Sequence, residues 1–220
     1  MSFAHPVVIS AAGIGSRLGL NRPKCLVEIE GKPLIHHQLN AVRDCPDVRV
    51  VVGFQEREVI RATREFREDV IFVRNPRYQT TSNLHSLLLG TLGSERPVIS
   101  LDGDLLISYG AFERFRDAAN RWANLVAVTE RATDEAVSVS LSVDESEVVG
   151  FYNPGRPQDL FEWAGLALID APDVNTKGFI FRQIEKRLPV PCVKIECYEI
   201  DTEADLTRAR EVAQLYLKEA

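Results

Sequence analysis

A glycine-rich loop that carries two separated cations is the part of this sequence best suited to chemistry. The stretch AAGIGSRLGLNRPKC, residues 11–25, directly follows an apolar, β-branched run. Gly13 and Gly15 let backbone N–H groups approach an anion, and Arg17 and Lys24 add positive charge. This combination predicts a loop that binds polyphosphate.

Two better-known glycine loops do not fit this stretch. A Walker loop closes on Gly-Lys-Ser or Gly-Lys-Thr, whereas Gly19 is followed by Leu20 and Asn21. A dinucleotide fingerprint spaces its glycines as Gly-x-Gly-x-x-Gly, and here the third glycine lies one residue too far along. The sequence therefore favours a third kind of loop, in which basic side chains supply part of the charge.

Further motifs follow the loop in order. They are AAGIGSR (11–17), PKCL (23–26), EGKPLI (30–35), NPRY (75–78), SNLHSL (82–87), DGD (102–104), WAGLA (163–167) and EIDTEADL (199–206). Together they resemble the sugar-phosphate and small-alcohol-phosphate nucleotidylyltransferases over nearly the whole chain. The NPRY and SNLHSL motifs are most similar to bacterial choline-phosphate cytidylyltransferases and their aminophosphonate-using relatives.

The resemblance implies a reaction in which an acceptor oxygen attacks the α-phosphorus of a nucleoside triphosphate and pyrophosphate leaves. A phosphomonoester has a second pKa of roughly 6, so it is already mostly a dianion at neutral pH and needs no general base. Positioning and charge must then supply the catalysis. We expect Lys24 to neutralise the α-phosphoryl group and Arg17 to hold the β- and γ-phosphates.

The resemblance also implies a magnesium site. Asp104 and Asp201 are about a hundred residues apart, but each follows a predicted buried strand, and a parallel sheet brings such strand ends to one edge. Mg²⁺ prefers one or two carboxylates together with waters. We therefore expect Asp104 and Asp201 to hold Mg²⁺, with Asp102 as the alternative to Asp104.

Nucleotide binding is expected from the loop backbone and from polar side chains near residue 82. The predicted residues are Ala11, Ala12, Gly13, Gly15, Ser16, Arg17, Ser82, Asn83, Ser86 and Asp102. Ser82 fits the N-cap of a helix equally well. The sequence lacks a long Gln- and Gly-rich base-reading segment, which together with the resemblance favours CTP.

The acceptor site is expected to be partly aromatic. Tyr78, Tyr152, Phe161 and Trp163 could surround a trimethylammonium group, with Asp159 or Glu162 adding negative charge. Of these, Tyr78, Tyr152, Glu162 and Trp163 are the predicted acceptor-binding residues. The expected acceptor is a small phosphorylated amino alcohol or phosphonate, of the phosphocholine or 2-aminoethylphosphonate type.

Two alternatives stay open. One is a nucleotidylyltransferase that acts on a sugar 1-phosphate or an inositol phosphate. The other is a regulatory module that binds a nucleotide without turnover. The presence of Lys24, Asp104 and Asp201 favours an enzyme over this module.

Hydrophobic periodicity predicts the elements that position these residues. We expect strands at 5–10, 48–52, 70–73, 97–101 and 192–200, short β segments at 125–129, 136–143, 147–152 and 163–168, and helices at 33–43, 56–66, 84–92, 109–122, 174–187 and 203–218. This alternation predicts a single Rossmann-like α/β domain with a mixed, mostly parallel central sheet, flanking helices and a small antiparallel β extension. Residues from 1 to about 122 are expected to bind the nucleotide, and about 123–220 the acceptor.

Composition limits the remaining classes of function. The 220 residues are 45% hydrophobic and 26% charged, which is typical of a globular protein, and the formal charge of -6 disfavours nucleic-acid binding. No window reaches the roughly 18 apolar residues of a membrane span, and no signal peptide is evident, so a cytoplasmic location is expected. The four cysteines lack C-x-x-C spacing and are interpreted as reduced, packed thiols.

Overall fold

The computed structural model describes residues 5–131, 136–170, 172–175 and 177–217. Its strands are β1 (Val7–Ala11), β2 (Glu28–Ile29), β3 (Lys32–Pro33), β4 (Val48–Val52), β5 (Ile71–Arg74), β6 (Val98–Asp102), β7 (Leu105–Ile107), β8 (Leu125–Glu130), β9 (Ser138–Leu141), β10 (Glu147–Tyr152), β11 (Phe161–Ile169), β12 (Val190–Lys194) and β13 (Cys197–Glu199). Nine of these described strands form one sheet, in the order β5-β4-β1-β6-β11-β8-β12-β10-β9.

The sheet is mixed. The pairs β4/β5, β1/β4 and β1/β6 are parallel, and β11 then runs antiparallel to β6 and β8. Farther along, β12 is parallel to β8, while β10 is antiparallel to β12 and β9. The antiparallel strands thus continue the parallel part within one sheet.

Helices cover the two faces of this sheet. They are α1 (Leu34–Ala41), α2 (Glu56–Phe66), α3 (Asn83–Gly90), α4 (Tyr109–Ala119), α5 (Phe181–Glu185) and α6 (Glu203–Leu217), with single 3-10 turns at Ser16–Leu18 and Lys24–Leu26. No helix among the described residues has both the length and the apolar character needed to cross a bilayer.

The core lies on both sides of the sheet, because successive side chains of a strand point to opposite faces. Val7 and Ile9 of β1 pack with residues of α1, α2 and α4, whereas Val8 packs with residues of α3. A strand covered on both faces has no polar alternation. This explains the continuous apolar run before the glycine loop.

A smaller apolar cluster fixes the edge of the sheet where the loop lies. Leu18 packs there with Ile200, Leu206 and Ala209, which bring the loop next to the start of α6. Two-stranded pairings of β2 with β3 and of β7 with β13 lie outside the main sheet. Because β7 follows Asp104 closely and β13 ends two residues before Asp201, the second pairing brings the two acidic segments together.

The single α/β domain with a mixed sheet and flanking helices is confirmed. Two predicted elements differ from the structure. The helix expected at 174–187, whose residue 176 lies outside the described ones, is only Phe181–Glu185, and the strand expected at 192–200 is divided into Val190–Lys194 and Cys197–Glu199. Residue 218, the expected end of α6, also lies outside the described residues.

Candidate active site

The glycine loop is held by buried side chains on both sides of its exposed part. Leu18, Cys25 and Leu26 are 2–4% exposed and fix the two 3-10 turns. Gly15 has φ of +66°, and a Cβ built there would lie 2.9 Å from Cγ of Lys24. The position therefore needs glycine both for its backbone conformation and for the space that Lys24 occupies.

Lys24 joins two acidic segments that are distant in sequence. Its Nζ lies 2.8 Å from Oδ2 of Asp104, and it also donates a hydrogen bond to Oδ1 of Asp201. Nη2 of Arg17 lies 2.8 Å from Oδ2 of Asp201. The structure thus brings together the two cations and two carboxylates that the sequence singled out.

These charges make Lys24 a fixed cation. Burial alone lowers the pKa of Lys24, but Asp104 and Asp201 outweigh this effect, so the pKa of the ammonium group is raised above its ordinary value. The Lys24 side chain is 14% exposed, whereas that of Arg17 is 60% exposed. Lys24 therefore stays protonated at neutral pH and can hold an anion, but it cannot act as a general base.

A third carboxylate, which the sequence interpretation missed, completes the acidic cluster. One oxygen from each of Asp104, Glu199 and Asp201 lies within 4.8 Å of the others. Desolvation and then Asp104, Asp201 and Asp102 raise the pKa of Glu199 well above its ordinary value. The negative charge of these neighbours disfavours an ionised Glu199 unless a cation lies among them. Three close carboxylates are a donor set that suits a hard divalent cation.

Asp102 lies beside this cluster rather than in it. It occupies the end of β6, next to Gly165 of β11. Gly165 has φ of +67°, and a Cβ built there would lie 3.2 Å from that of Asp102, so glycine suits this position in both respects. Desolvation and the nearby Asp104 raise the pKa of Asp102 to about 8. Because Asp102 is not one of the three carboxylates whose oxygens lie within 4.8 Å of one another, Asp104 is the better placed ligand of the two.

A cleft of 1490 Å³ opens at this edge of the sheet. Of the predicted nucleotide-binding residues, the described lining includes Ala11, Gly13, Gly15, Arg17, Asn83 and Asp102. The lining as described does not include Ala12, Ser16, Ser82 or Ser86. Ser86 is 4% exposed and accepts a hydrogen bond from Asn75 at 3.1 Å, and the Ala12 carbonyl accepts one from Phe54 N–H at 3.1 Å.

Of the four predicted acceptor-binding residues, two line the cleft and two are not among its described lining residues. Glu162 and Trp163 line the cleft. Tyr78 and Tyr152 are not among the described lining residues. Tyr78 contacts Phe54, with ring centroids 6.2 Å apart, and the guanidinium carbon of Arg156 lies 3.4 Å from the Tyr152 ring centroid.

Two phenylalanines that sequence reasoning did not identify form part of the cleft wall. Phe179 and Phe181 stack with centroids 6.1 Å apart, and Phe181 in turn stacks on Phe151 at 6.0 Å. Trp163 meets the edge of Phe151 at 6.3 Å. Phe179 is 53% exposed, so this wall presents an aromatic surface to a ligand.

Comparison with known proteins identifies the family of this chain. Residues 7–176 match the model of the MobA-like NTP transferase domain. CMP-5'-(3-aminopropyl)phosphonate synthase of Streptomyces rubellomurinus (strain ATCC 31215) is 32% identical over 164 residues, 67% of this chain and 26% of that protein. The bifunctional protein GlmU of Rhodopseudomonas palustris (strain BisB5) is 31% identical over 134 residues, 58% of this chain and 29% of that protein. This chain thus spans less than a third of the length of these two curated relatives.

Two solved structures share the fold. CTP:phosphocholine cytidylyltransferase from Streptococcus pneumoniae has a TM-score of 0.74 at 19% identity, covering 94% of this chain and 98% of that chain. The inositol-1-phosphate CTP transferase from T. maritima has a TM-score of 0.75 at 16% identity, covering 96% and 95%.

Proposed function

Because this chain belongs to the family of MobA-like NTP transferase domains, we propose that it is a Mg²⁺-dependent cytidylyltransferase. It couples CTP to a small phosphorylated amino alcohol or phosphonate, of the phosphocholine or 2-aminoethylphosphonate type, and releases pyrophosphate. The observation that supports this most strongly is the position of Lys24 between Asp104 and Asp201, next to a glycine loop at one end of the cleft.

The reaction needs charge more than proton transfer. An oxygen of the acceptor's phosphate or phosphonate attacks the α-phosphorus of CTP, the bond to the bridging oxygen of the β-phosphate breaks, and pyrophosphate leaves with that electron pair. Lys24, as a fixed cation, reduces the repulsion between the two anions and stabilises the charge that builds at the α-phosphoryl group. Arg17 pairs with Asp201, but its side chain is 60% exposed, so its planar fork can turn toward the outer phosphates when a nucleotide binds.

The acidic cluster is the proposed place for the cation. Asp104, Glu199 and Asp201 would hold Mg²⁺, because their oxygens lie within 4.8 Å of one another and carboxylate oxygen is the donor that Mg²⁺ prefers. When bound, Mg²⁺ would supply charge neutralisation for the triphosphate. Lys24 already contacts two of these carboxylates, so both cations would act on the same phosphates.

Two observations support the choice of CTP and of an amine-bearing acceptor. A relative at 32% identity is named as a CMP-phosphonate synthase. The cleft also combines the aromatic surface of Phe179 and Trp163 with the acidic residues Glu130 and Glu162, which suits a small cationic group. A sugar 1-phosphate acceptor with another nucleotide is the second candidate, since the motifs shared with sugar-phosphate nucleotidylyltransferases leave it open.

A pyrophosphate-release screen tests the proposal. It crosses CTP, UTP, GTP and ATP with phosphocholine, 2-aminoethylphosphonate, phosphoethanolamine, inositol phosphate and sugar 1-phosphates, each with Mg²⁺ and with a chelator. The highest rate is expected for CTP with one of the three amine-bearing acceptors, and no rate is expected with the chelator. A preference for a sugar 1-phosphate would contradict the acceptor, and the lack of turnover with every pair would leave a nucleotide-binding module.

A further inference from the structure

Ser82 and Asn83, at the start of α3, bind a distant segment that borders the cleft. Ser82 is the N-cap residue, yet its side chain makes no capping hydrogen bond and instead donates to the carbonyl oxygen of Gly178. Oδ1 of Asn83 accepts a hydrogen bond from the backbone N–H of Ile180 at 3.3 Å. Two consecutive side chains therefore attach residues 178–180 to the helix.

The other end of the Asn83 side chain reaches the strand end where Asp102 lies. Nδ2 of Asn83 donates to both carboxylate oxygens of Asp102, at 3.3 and 3.4 Å. An amide side chain donates from its nitrogen and accepts at its oxygen, so the single Asn83 side chain can join both partners. The reverse amide orientation would place the side-chain N–H groups of Asn83 against the backbone N–H of Ile180, so this contact fixes the orientation.

The attached segment carries the exposed part of the aromatic wall. Ile180 and Phe181 are 0% and 3% exposed and anchor the segment in the core, whereas Phe179 is 53% exposed and lines the cleft. The ring of Phe179 lies nearly parallel to that of Phe181, with an interplanar angle of 7°. The hydrogen bond to Ile180 N–H is thus one residue away from the ring that a ligand would meet.

We propose that Asn83 is a positioning residue that ties Asp102 to the segment bearing Phe179, and that it thereby sets the acceptor-binding wall. This role replaces the direct nucleotide contact expected from the sequence. The inference rests on the proposed function for its kinetic consequence. Without the Asn83 amide, the wall is held by Ser82 and by packing alone, so acceptor binding weakens while the loop and Lys24 keep their contacts with the nucleotide.

The test compares Asn83→Ala with Asn124→Ala and Ser82→Ala. Asn124 is a matched control because its Oδ1 also accepts a backbone N–H, that of Asp170 at 3.1 Å, and Asn124 is not among the described cleft-lining residues. For Asn83→Ala we expect a KM for phosphocholine raised about tenfold, and a KM for CTP changed less than about twofold. Ser82→Ala should also raise the KM for phosphocholine, but by a smaller factor. Asn124→Ala should change neither the KM for phosphocholine nor the KM for CTP. If 2-aminoethylphosphonate is the better substrate, it takes the place of phosphocholine.

A second measurement does not depend on turnover. Hydrogen exchange of the peptide containing Ile180 should be faster in Asn83→Ala than in the wild type and unchanged in Asn124→Ala. Equal increases in both KM values, or unchanged exchange at this peptide, would overturn the positioning role. A wild-type protein that releases no pyrophosphate would contradict the proposed function, while the exchange result would still decide whether Asn83 holds the segment.

Discussion

Gly15 and Lys24 are in direct contact, because a methyl group on Gly15 would lie 2.9 Å from Cγ of Lys24. Gly19 in the same loop also has a positive φ, +71°, but a Cβ there meets nothing within 4 Å. Both glycines therefore carry a backbone requirement, and of the two only Gly15 also lies against Lys24, the proposed catalytic residue.

We predict that Gly15→Ala lowers kcat by about tenfold or more relative to Gly19→Ala. Both variants should lose stability, on the order of 1 kcal/mol, from placing alanine in the left-handed region, and Gly15→Ala should lose more because its methyl group meets Lys24. Steady-state pyrophosphate release and thermal unfolding measure the two effects separately. Equal kcat values for the two variants would show that the Gly15–Lys24 contact does not position the lysine.

Glu199→Gln should raise the Mg²⁺ concentration that gives half-maximal activity by about tenfold, because one of three carboxylates is lost from the cluster. Asp104→Asn should lose Mg²⁺-dependent turnover. Glu185→Gln is the control, since Glu185 pairs with Arg182 and is not among the described cleft-lining residues. If Asp104→Asn kept the wild-type Mg²⁺ dependence, Asp102 would have to be the ligand instead.

Phe179→Ala should raise the KM for the acceptor by about tenfold, because the exposed face of the wall is removed. The matched control is Phe66→Ala: Phe66 is 41% exposed and lies against His36, and it is not among the described cleft-lining residues. Both changes remove a partly exposed ring, so a general loss of apolar surface would affect both proteins. An acceptor KM that rises equally in the two variants would remove Phe179 from the binding site.

Most of the fold could be predicted, because the spacing of apolar residues along the chain determines which segments form strands and which form helices. The strand at Val48–Val52 and the helix at Glu56–Phe66 have the predicted bounds. The segment at 174–187 could not be predicted in the same way, because its tertiary contacts override its helical pattern. Residues 178–180 bond to Ser82 and Asn83, and the helix begins only at Phe181.

The contact between Lys24 and Asp201 could be predicted, because each residue belongs to a recognisable motif. Glu199 was missed, although its position two residues before Asp201, across the buried Ile200, is the spacing that puts two side chains on one side of an extended chain. Tyr152 is the opposite case, because it was predicted to bind the acceptor but is not among the described cleft-lining residues. The sequence does not reveal that the guanidinium of Arg156 already covers its ring.

Asp159 should stabilise the protein at neutral pH and lose this effect in acid. The side chains of Arg156, Ser138 and Ser140 hydrogen-bond to its carboxylate and lower the pKa of Asp159 to about 2. A carboxyl group whose pKa is lowered by folding stabilises the protein above its unfolded pKa of roughly 4, and this contribution is lost as the pH falls toward 2.

We therefore predict that Asp159→Asn lowers Tm by roughly 2–4 °C at pH 7, and that the difference from the wild type shrinks between about pH 4 and pH 2. Asp144→Asn is the comparison variant. Asp144 lies in an exposed turn and accepts hydrogen bonds from the hydroxyl groups of Ser142 and Ser146, so this change should lower Tm by less than Asp159→Asn does. A difference in Tm for Asp159→Asn that did not change with pH would point to a packing effect rather than to the carboxylate.

The turnover of Lys24→Ala, compared with that of Lys186→Ala, tests the central claim most directly. Both lysines pair with an aspartate at 2.8–2.9 Å, but Lys186 pairs with Asp173 and is not among the described cleft-lining residues. With CTP, Mg²⁺ and the best amine-bearing acceptor, Lys24→Ala should fold and lose at least about 100-fold in kcat, while Lys186→Ala keeps the wild-type rate. A folded Lys24→Ala protein with a kcat near that of the wild type would contradict the account.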